Sequence, residues 1–167
     1  MIYNYNELFE KYKSDYNIVK AIKNKEIFKV SKGIYSDVPS VPYLAILSKK
    51  YPNVVISGHS AYYFYNLTDI IPKKITLCTS RNYTRISDDN IKQILMKDDL
   101  YILGITTINY EGVNIKIYDK ERLLIDLARN KNKMGYDLYK ELISNYREIV
   151  DSINMRKIEE YLTKFSN

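Results

Sequence analysis

Two segments near the start of the chain have apolar residues at helical spacing. Residues 6–13 carry Leu8, Phe9 and Tyr12, a pattern that predicts a short amphipathic helix. Ser14 follows and can cap a second helix, because its hydroxyl can accept a hydrogen bond from an early backbone N–H. The pattern therefore predicts two consecutive helices.

The second predicted helix covers residues 15–24 and has one apolar and one polar side. Val19 and Ile22, with Ile18 beside them, are expected to face inward. The other side carries amide and ammonium groups, at Asn17, Lys20, Lys23 and Asn24. This helix therefore presents a polar, basic stripe.

A small β-hairpin is predicted directly after these helices. Residues 27–30 and 33–36 are short runs with alternating apolar residues, separated by a Ser-Lys-Gly turn. Two prolines within residues 37–42 then interrupt both helical and strand patterns. We infer that residues 1–37 form a first unit.

The remaining residues, 38–167, are predicted to form a second unit that mixes helices and strands. A short apolar strand at residues 54–56 leads into a sharp turn at Gly58. Further strands are predicted over residues 75–79, 91–96, 105–110 and 113–118, and helices over residues 43–51, 60–66, 120–130, 136–150 and 154–165. The last two strands are expected to form a hairpin across Glu111 and Gly112.

The formal net charge of the chain is +6. Lysine and arginine side chains that displace counterions from phosphates supply most non-specific affinity for nucleic acid, so this charge favours a polyanionic partner. Charge by itself is weak support, since many basic proteins bind no nucleic acid.

Cys78 is the only cysteine, which excludes an intramolecular disulfide and a cysteine-based zinc cage. Residues 1–13 carry charges where a signal peptide would need an apolar core. No apolar run in the sequence approaches the length needed to cross a bilayer. We therefore expect a cytoplasmic protein with no membrane partner.

The first unit has the element order of a reduced winged helix-turn-helix, with two helices where a full module normally has three. Such a module places its second helix in the major groove of double-stranded DNA, and its wing contacts the phosphate backbone. The candidate contacts are Asn17, Lys20, Lys23 and Asn24 on the helix, and Lys25, Lys29 and Lys32 on the hairpin. The alternative, that these lysines only solvate the surface, has about equal weight.

The predicted fold is therefore α+β: a reduced winged helix-turn-helix followed by a mixed α/β domain with a helical C-terminal tail.

A second basic patch lies in a predicted loop and consists of Arg81, Tyr83 and Arg85. Guanidinium groups pair with phosphates and rings stack on bases, so this composition suits nucleic-acid binding. A solvated loop is the more common explanation, which makes this patch a secondary candidate.

His59, the only histidine, lies between Ser57 and Ser60 at a predicted strand-to-helix corner. If a serine were a nucleophile and His59 its base, an acidic residue would also be needed to orient the histidine. The Gly-x-Ser-x-Gly pattern that marks a nucleophilic serine is absent. A helix-capping or hydrogen-bonded structural role is favoured over an enzyme centred on His59. The five scattered glycines form no phosphate-binding loop, and we expect no enzymatic activity, cofactor or metal site.

Acidic residues open the helix predicted over residues 120–130. Asp119 can cap it, because a carboxylate is favourable near the positive end of the helix dipole. Arg122 and Asp126 form an i, i+4 pair, which is ordinary helix support. Neither feature requires a catalytic role.

Three motifs resemble the AbiEi family, the antitoxins of bacterial abortive-infection toxin–antitoxin systems. Residues 28–35, Phe-Lys-Val-Ser-Lys-Gly-Ile-Tyr, are similar to the family's wing. The other two motifs are residues 55–61, Val-Ile-Ser-Gly-His-Ser-Ala, followed by Asn66-Leu67 and Pro72, and residues 117–122, Ile-Tyr-Asp-Lys-Glu-Arg, followed by Asp126-Leu127. They are similar to the family's strand-turn-helix and to its Asp-x-Glu-Arg helix start.

The resemblance implies a transcriptional autorepressor that binds inverted repeats in its own promoter through residues 1–37. It further implies that residues 38–167 counter a nucleotidyltransferase-like toxin encoded beside it, without a stable complex, in defence against phage. Two alternatives stay open: a stand-alone DNA-binding regulator, and a protein-binding adaptor without a toxin partner.

Overall fold

The computed structural model describes residues 1–166, which form eight α-helices and two β-sheets. The α+β class predicted from the sequence is therefore confirmed. The chain divides into two compact units, of which the first comprises residues 1–53 and 109–115. The second comprises residues 54–108 and the chain from Lys116 onward.

The first unit contains three strands and three helices. They are β1 (Ile2–Asn4), α1 (Tyr5–Tyr12), α2 (Asp15–Lys23), β2 (Phe28–Ser31), β3 (Ile34–Ser36) and α3 (Tyr43–Lys50). The strands form an antiparallel sheet with the order β1-β3-β2. The sequence predicts both helices and the hairpin of residues 1–37 but not β1, because three residues are too few to show an alternating pattern.

Side-chain caps fix the first turns of α1 and α2. Asn4 Oδ1 accepts a hydrogen bond from Glu7 N at 3.0 Å, and Glu7 Oε2 accepts one from Asn4 N at 2.8 Å, which completes a capping box. Ser14 Oγ accepts a hydrogen bond from Asn17 N at 3.2 Å, so the predicted cap of α2 is confirmed. Only Lys13 and Ser14 separate the two helices.

The buried side of α2 differs from the predicted one. Ile18 and Ala21 are buried, whereas Val19 is 50% exposed, so the expectation that Val19 faces inward is wrong. The reason is that Ala21, one turn after Ile18, packs with Leu8 and Ile27 in the core of the unit. The buried side of α2 is therefore the side that carries Ile18 and Ala21.

Helix α3 groups with the first compact unit, although the sequence predicts it at the start of the second. It packs against β1 and β3. Lys49 of α3 also pairs with Glu7 of α1 at 2.5 Å. The functional division after residue 37 stays a prediction.

A five-stranded sheet lies mainly in the second unit, except that residues 109–115, the end of one strand and the start of the next, are grouped with the first unit. The strands are β4 (Val55–Ile56), β5 (Ile75–Ser80), β6 (Ile91–Met96), β7 (Ile105–Tyr110) and β8 (Val113–Tyr118). They form a mixed sheet with the order β6-β5-β4-β8-β7. β4 is antiparallel to β5 and parallel to β8, and β5 is parallel to β6.

The turn between β7 and β8 is the predicted two-residue turn. Glu111 and Gly112 both have a positive φ, of 48° and 83°. Hairpin turns of type I′ require this at both central residues, because the resulting twist matches that of the strands.

Five helices complete the second unit. They are α4 (Gly58–Phe64), α5 (Asp98–Tyr101), α6 (Lys120–Arg129), α7 (Tyr136–Glu148) and α8 (Met155–Phe165). α4 packs against β5 and α6, and α6 packs against α8. A hydrogen bond from Tyr62 Oη to Leu123 O, at 2.8 Å, joins α4 to α6 inside the core.

Candidate functional site

The outer side of α2 is an exposed strip of one aromatic, one aliphatic and two basic side chains. Tyr16, Val19, Lys20 and Lys23 have the i, i+3, i+4, i+7 spacing that places residues along one side of a helix. Tyr16 is 76% exposed, and both lysines are exposed. We call these four residues the α2 strip. Lys20 and Lys23 are predicted here from the sequence, whereas Tyr16 and Val19 are not, although the same spacing indicates them.

The two asparagines predicted to contact DNA make local hydrogen bonds. Asn17 Nδ2 donates to Tyr12 O at 2.9 Å, and Asn24 Nδ2 donates to Glu26 Oε1 at 3.2 Å. Asn24 is the C-cap of α2 and lies beyond its last helical residue. A base contact from either amide would replace an existing hydrogen bond, so the lysines are the stronger candidates.

Lys25 lies in the turn that leaves α2 and has a positive φ of 59°. Lys25 N donates to Ile22 O, and Glu26 N donates to Ala21 O, which is the hydrogen-bond pattern of a Schellman motif. Glycine is the usual residue at this left-handed position, because a side chain is strained there. The motif fixes the backbone of this lysine between α2 and β2.

The hairpin of β2 and β3 holds the two remaining lysines. Lys29 pairs with Tyr35, and Tyr35 pairs with Tyr3. Residues that are directly paired have side chains on the same face of a sheet, and both tyrosines pack against the core made with α1 and α2. Lys29 is therefore on the side of the sheet that faces α1 and α2. Lys32 lies in the exposed turn beside Gly33.

All five lysines predicted to contact DNA are exposed, and none has a carboxylate partner in the part of the chain that the structure describes. Within residues 1–166, the ion pairs involve none of Lys20, Lys23, Lys25, Lys29 and Lys32. A lysine without a carboxylate partner can neutralise a phosphate and release its counterion. The outer side of α2 and the hairpin are therefore the candidate nucleic-acid interface.

The second predicted patch lies in the loop of residues 81–90, which joins the parallel strands β5 and β6, and consists of Arg81, Tyr83 and Arg85. Both arginines are exposed, and the tyrosine is partly buried. Gln93 of β6 anchors the loop, since its Oε1 accepts from Ile86 N at 2.8 Å and its Nε2 lies 3.4 Å from Thr84 O. The role of this patch in binding stays a prediction.

His59 and Ser60 both bind backbone groups of the segment that follows α4. His59 Nε2 donates to Ile70 O at 2.7 Å. Ser60 Oγ donates to Lys74 O at 3.2 Å and accepts from Thr76 N at 2.9 Å. This is the hydrogen-bonded structural role that the sequence favours for the histidine.

Arg122 is fully buried, which the sequence does not indicate. Its Nε donates to Asp126 Oδ2 at 3.1 Å, and its Nη1 donates to Leu100 O and Leu103 O at 2.6 and 2.7 Å. The guanidinium also stacks on Tyr118, 4.2 Å from the ring centroid. Burial raises the pKa of Asp126, and the adjacent guanidinium acts against that rise. The predicted i, i+4 pair is therefore part of the core.

The predicted cap of α6 is confirmed. Asp119 Oδ1 accepts a hydrogen bond from Arg122 N at 2.8 Å. Asp119 Oδ2 accepts a second from Tyr161 Oη at 2.7 Å and pairs with Lys157 Nζ at 2.8 Å. Asp119 therefore joins the start of α6 to α8.

Over residues 1–166, no group of three or more histidine, cysteine, aspartate or glutamate side chains is placed to hold a metal ion. In that same part of the chain, no helix combines the length and apolar character needed to cross a membrane. No protein-family model matches the chain, and the comparison with curated proteins gives no significant match.

Proposed function

We propose that the protein is a DNA-binding antitoxin similar to those of the AbiEi family. Residues 1–37 act as a reduced winged helix-turn-helix that binds inverted repeats in the protein's own promoter and represses transcription. Residues 38–167 counter a nucleotidyltransferase-like toxin encoded beside it, without a stable complex. The protein works in the bacterial cytoplasm, in defence against phage.

The main support for DNA binding is the set of exposed lysines that have no carboxylate partner within residues 1–166. Lys20 and Lys23 lie on the α2 strip, and Lys29 and Lys32 lie on the hairpin that follows α2. A recognition helix in the major groove and a wing along the backbone both use cationic groups to neutralise phosphates. α2 and the β2–β3 hairpin, the two elements that a winged helix-turn-helix uses to contact DNA, therefore both carry cationic side chains.

The order of elements supports the same proposal. α1 and α2 follow each other across a two-residue turn, and the β2–β3 hairpin comes directly afterwards. In a helix-turn-helix module the second of two such helices reads the groove. α3 packs against β1 and β3, which supplies a third helix to a unit that has two within residues 1–37.

The α2 strip also offers groups that can read bases. Lysine can donate to guanine, and an apolar side chain can contact the methyl group of thymine in the major groove. Lys20, Lys23 and Val19 are the residues of the strip with these properties. Sequence preference is therefore expected to depend on α2 more than on the hairpin.

Fluorescence anisotropy with a labelled upstream promoter fragment tests this assignment. The wild-type protein is expected to bind the fragment more tightly than a scrambled duplex of equal length. Lys20→Ala with Lys23→Ala should reduce that preference, whereas Lys97→Ala with Lys164→Ala removes the same charge elsewhere and should leave it unchanged. Equal affinity of the wild-type protein for both duplexes would rule out a specific repressor.

Co-expression with the neighbouring gene tests the antitoxin part. If that gene encodes the toxin, its expression alone should stop growth and the full chain should restore it. The Lys20→Ala, Lys23→Ala variant should still restore growth, because protection is assigned to residues 38–167. If the full chain does not relieve the growth arrest, the antitoxin role is excluded and a stand-alone DNA-binding regulator is the remaining function.

A protein-binding adaptor is the second candidate, and the exposure of Tyr16 and Val19 favours it. Two large apolar side chains on one side of a helix are also a common contact surface between proteins. An adaptor would show no affinity for either duplex, and Tyr16→Ala would abolish binding to its protein partner. Measurable DNA binding that depends on Lys20 and Lys23 excludes this candidate.

A further inference from the structure

The second unit contains a cavity of about 610 Å³ over one face of its sheet. Its floor comes from alternate residues of two neighbouring strands, since Thr76 and Cys78 of β5 pair with Lys92 and Ile94 of β6. Residues between 126 and 138, from the end of α6 to the start of α7, form the opposite wall. A cavity of this volume is in the range that holds small organic ligands.

Cationic groups outnumber carboxylates around this cavity. Lys92, Arg129 and Lys133 line it, and among its lining residues within the described chain Asp126 is the one carboxylate. Asp126 pairs with the buried guanidinium of Arg122 at 3.1 Å, which compensates its charge, whereas the exposed Arg129 is more distant from it, at 3.8 Å. The cavity is therefore positively charged and favours an anionic group.

Ser57 also lines this cavity, and its side chain ends in an unsatisfied polar atom. The residue is only 4% exposed. Within residues 1–166, Ser57 Oγ is the buried side-chain polar atom that has no hydrogen-bond partner. It stands at the N-cap of α4 without bonding a backbone N–H. Because an unpaired buried hydroxyl costs stability, a bound molecule with a polar atom at this point would relieve that cost.

The rest of the lining combines polar residues, such as His59, Thr76 and Asn130, with apolar or aromatic ones, which include Tyr62, Ile94, Met96, Tyr118, Met134 and Leu138. Apolar walls with a few placed polar groups are typical of sites for organic ligands. A ligand that suits this cavity therefore has an apolar or ring-containing body, at least one hydrogen-bonding group and an anionic group. Nucleoside phosphates combine these three properties.

We propose that this cavity binds a nucleoside phosphate. Lys92, Arg129 and Lys133 hold the phosphate, the ring system lies against the apolar wall, and Ser57 Oγ forms a hydrogen bond with the ligand. The proposal goes beyond DNA binding and toxin neutralisation. It uses none of the residues assigned to the DNA contact.

Isothermal titration calorimetry on the full chain tests the proposal, with AMP, ATP, GTP and inorganic phosphate as separate probes. At least one nucleotide is expected to bind, and inorganic phosphate should bind about tenfold more weakly or worse, because it lacks the ring system. Lys92→Gln with Lys133→Gln should weaken nucleotide binding by about tenfold or more. Ser57→Ala should weaken it by about fivefold, the effect of one hydrogen bond.

A measurement of thermal unfolding separates loss of binding from loss of folding. Ser57→Ala removes a hydroxyl that has no partner in the free protein, so the variant should unfold at the same temperature as the wild type or higher while binding nucleotide less tightly. Lys97→Gln, at an exposed lysine outside the cavity lining, should bind nucleotide like the wild type.

Three results would overturn the proposal. The first is no binding of any of the three nucleotides at millimolar concentration. The second is unchanged nucleotide affinity in the Ser57 and lysine variants of the cavity. The third is loss of nucleotide binding in Lys29→Ala with Lys32→Ala, which would place the nucleotide on the DNA-binding surface instead.

Discussion

Gly104 lies where a side chain would clash with the buried Arg122. A Cβ at position 104 would lie 2.7 Å from Arg122 Cβ and 3.2 Å from Asp119 Oδ1. Gly104 also has a φ of 82° and accepts a hydrogen bond from Asp119 N at 2.8 Å. The absence of a side chain there is therefore a condition for the packing of Arg122 and for the start of α6.

Gly104→Ala is expected to destabilise the protein by about 3 kcal/mol, because left-handed strain adds to a clash inside a packed core. Gly112→Ala is the matched control, since Gly112 has a φ of 83° but nothing within 4 Å of a Cβ. It should cost about 1 kcal/mol from strain alone. Urea denaturation of both variants gives the two free energies of unfolding, and equal losses would show that the contact with Arg122 does not matter.

Lys25 combines a candidate DNA contact with a strained backbone, at a φ of 59°. Lys25→Gly should raise the free energy of unfolding by about 1 kcal/mol, because glycine adopts this conformation without strain. Lys25→Asn removes the same charge and should give a smaller gain. Both variants should lose DNA affinity equally, as anisotropy can measure, and a difference between them would mean that the backbone, not the charge, affects binding.

Caps and apolar spacing predict most of the helices and strands. Ser14 and Asp119 both cap the helices that they are expected to start. The sequence does not predict β1 and α5, since three and four residues show no period, and each forms in the context of neighbouring elements. The sequence places Val19 inside because valine is more apolar than alanine, whereas the buried side of the helix runs through Ile18 and Ala21.

Glu7 couples α1 to α3 and makes the first unit sensitive to acid. Lys49 lowers the pKa of Glu7 by a direct hydrogen bond, and Asn4 N lowers it further through the capping box. A carboxylate with a lowered pKa in the folded state stabilises the protein above the pKa of the unfolded chain. That contribution should be lost as the pH falls through the lowered value.

Glu7→Gln tests this pH dependence, because glutamine can keep the capping hydrogen bond but cannot form the ion pair. Urea denaturation at a series of pH values from 7 down to about 3 gives the free energy of unfolding of both proteins. The wild-type protein should lose more stability than the variant over the acid part of the range. Parallel curves would show that the Glu7–Lys49 pair does not contribute.

The features of the candidate sites that the sequence does not predict depend on contacts between residues far apart along the chain. The exposure of the lysines of α2 and the hairpin could be predicted because it depends on their neighbours along the chain. The burial of Arg122 depends on Leu100, Leu103 and Phe165. The cavity around Ser57 likewise collects residues from three strands and three α-helices, so spacing along the chain gives no signal for it.

The salt dependence of DNA binding tests most directly whether lysines of the first unit contact duplex phosphates. Anisotropy titrations with the promoter fragment should be made at several salt concentrations for the wild type and for Lys29→Ala with Lys32→Ala. Each phosphate contact contributes about 0.9 to the slope of log affinity against log salt, so the variant should show a slope smaller by about 2. Its affinity should fall similarly for every duplex sequence, while Lys97→Ala with Lys164→Ala should behave as the wild type. An unchanged slope and affinity in the hairpin variant would show that Lys29 and Lys32 do not contact the duplex.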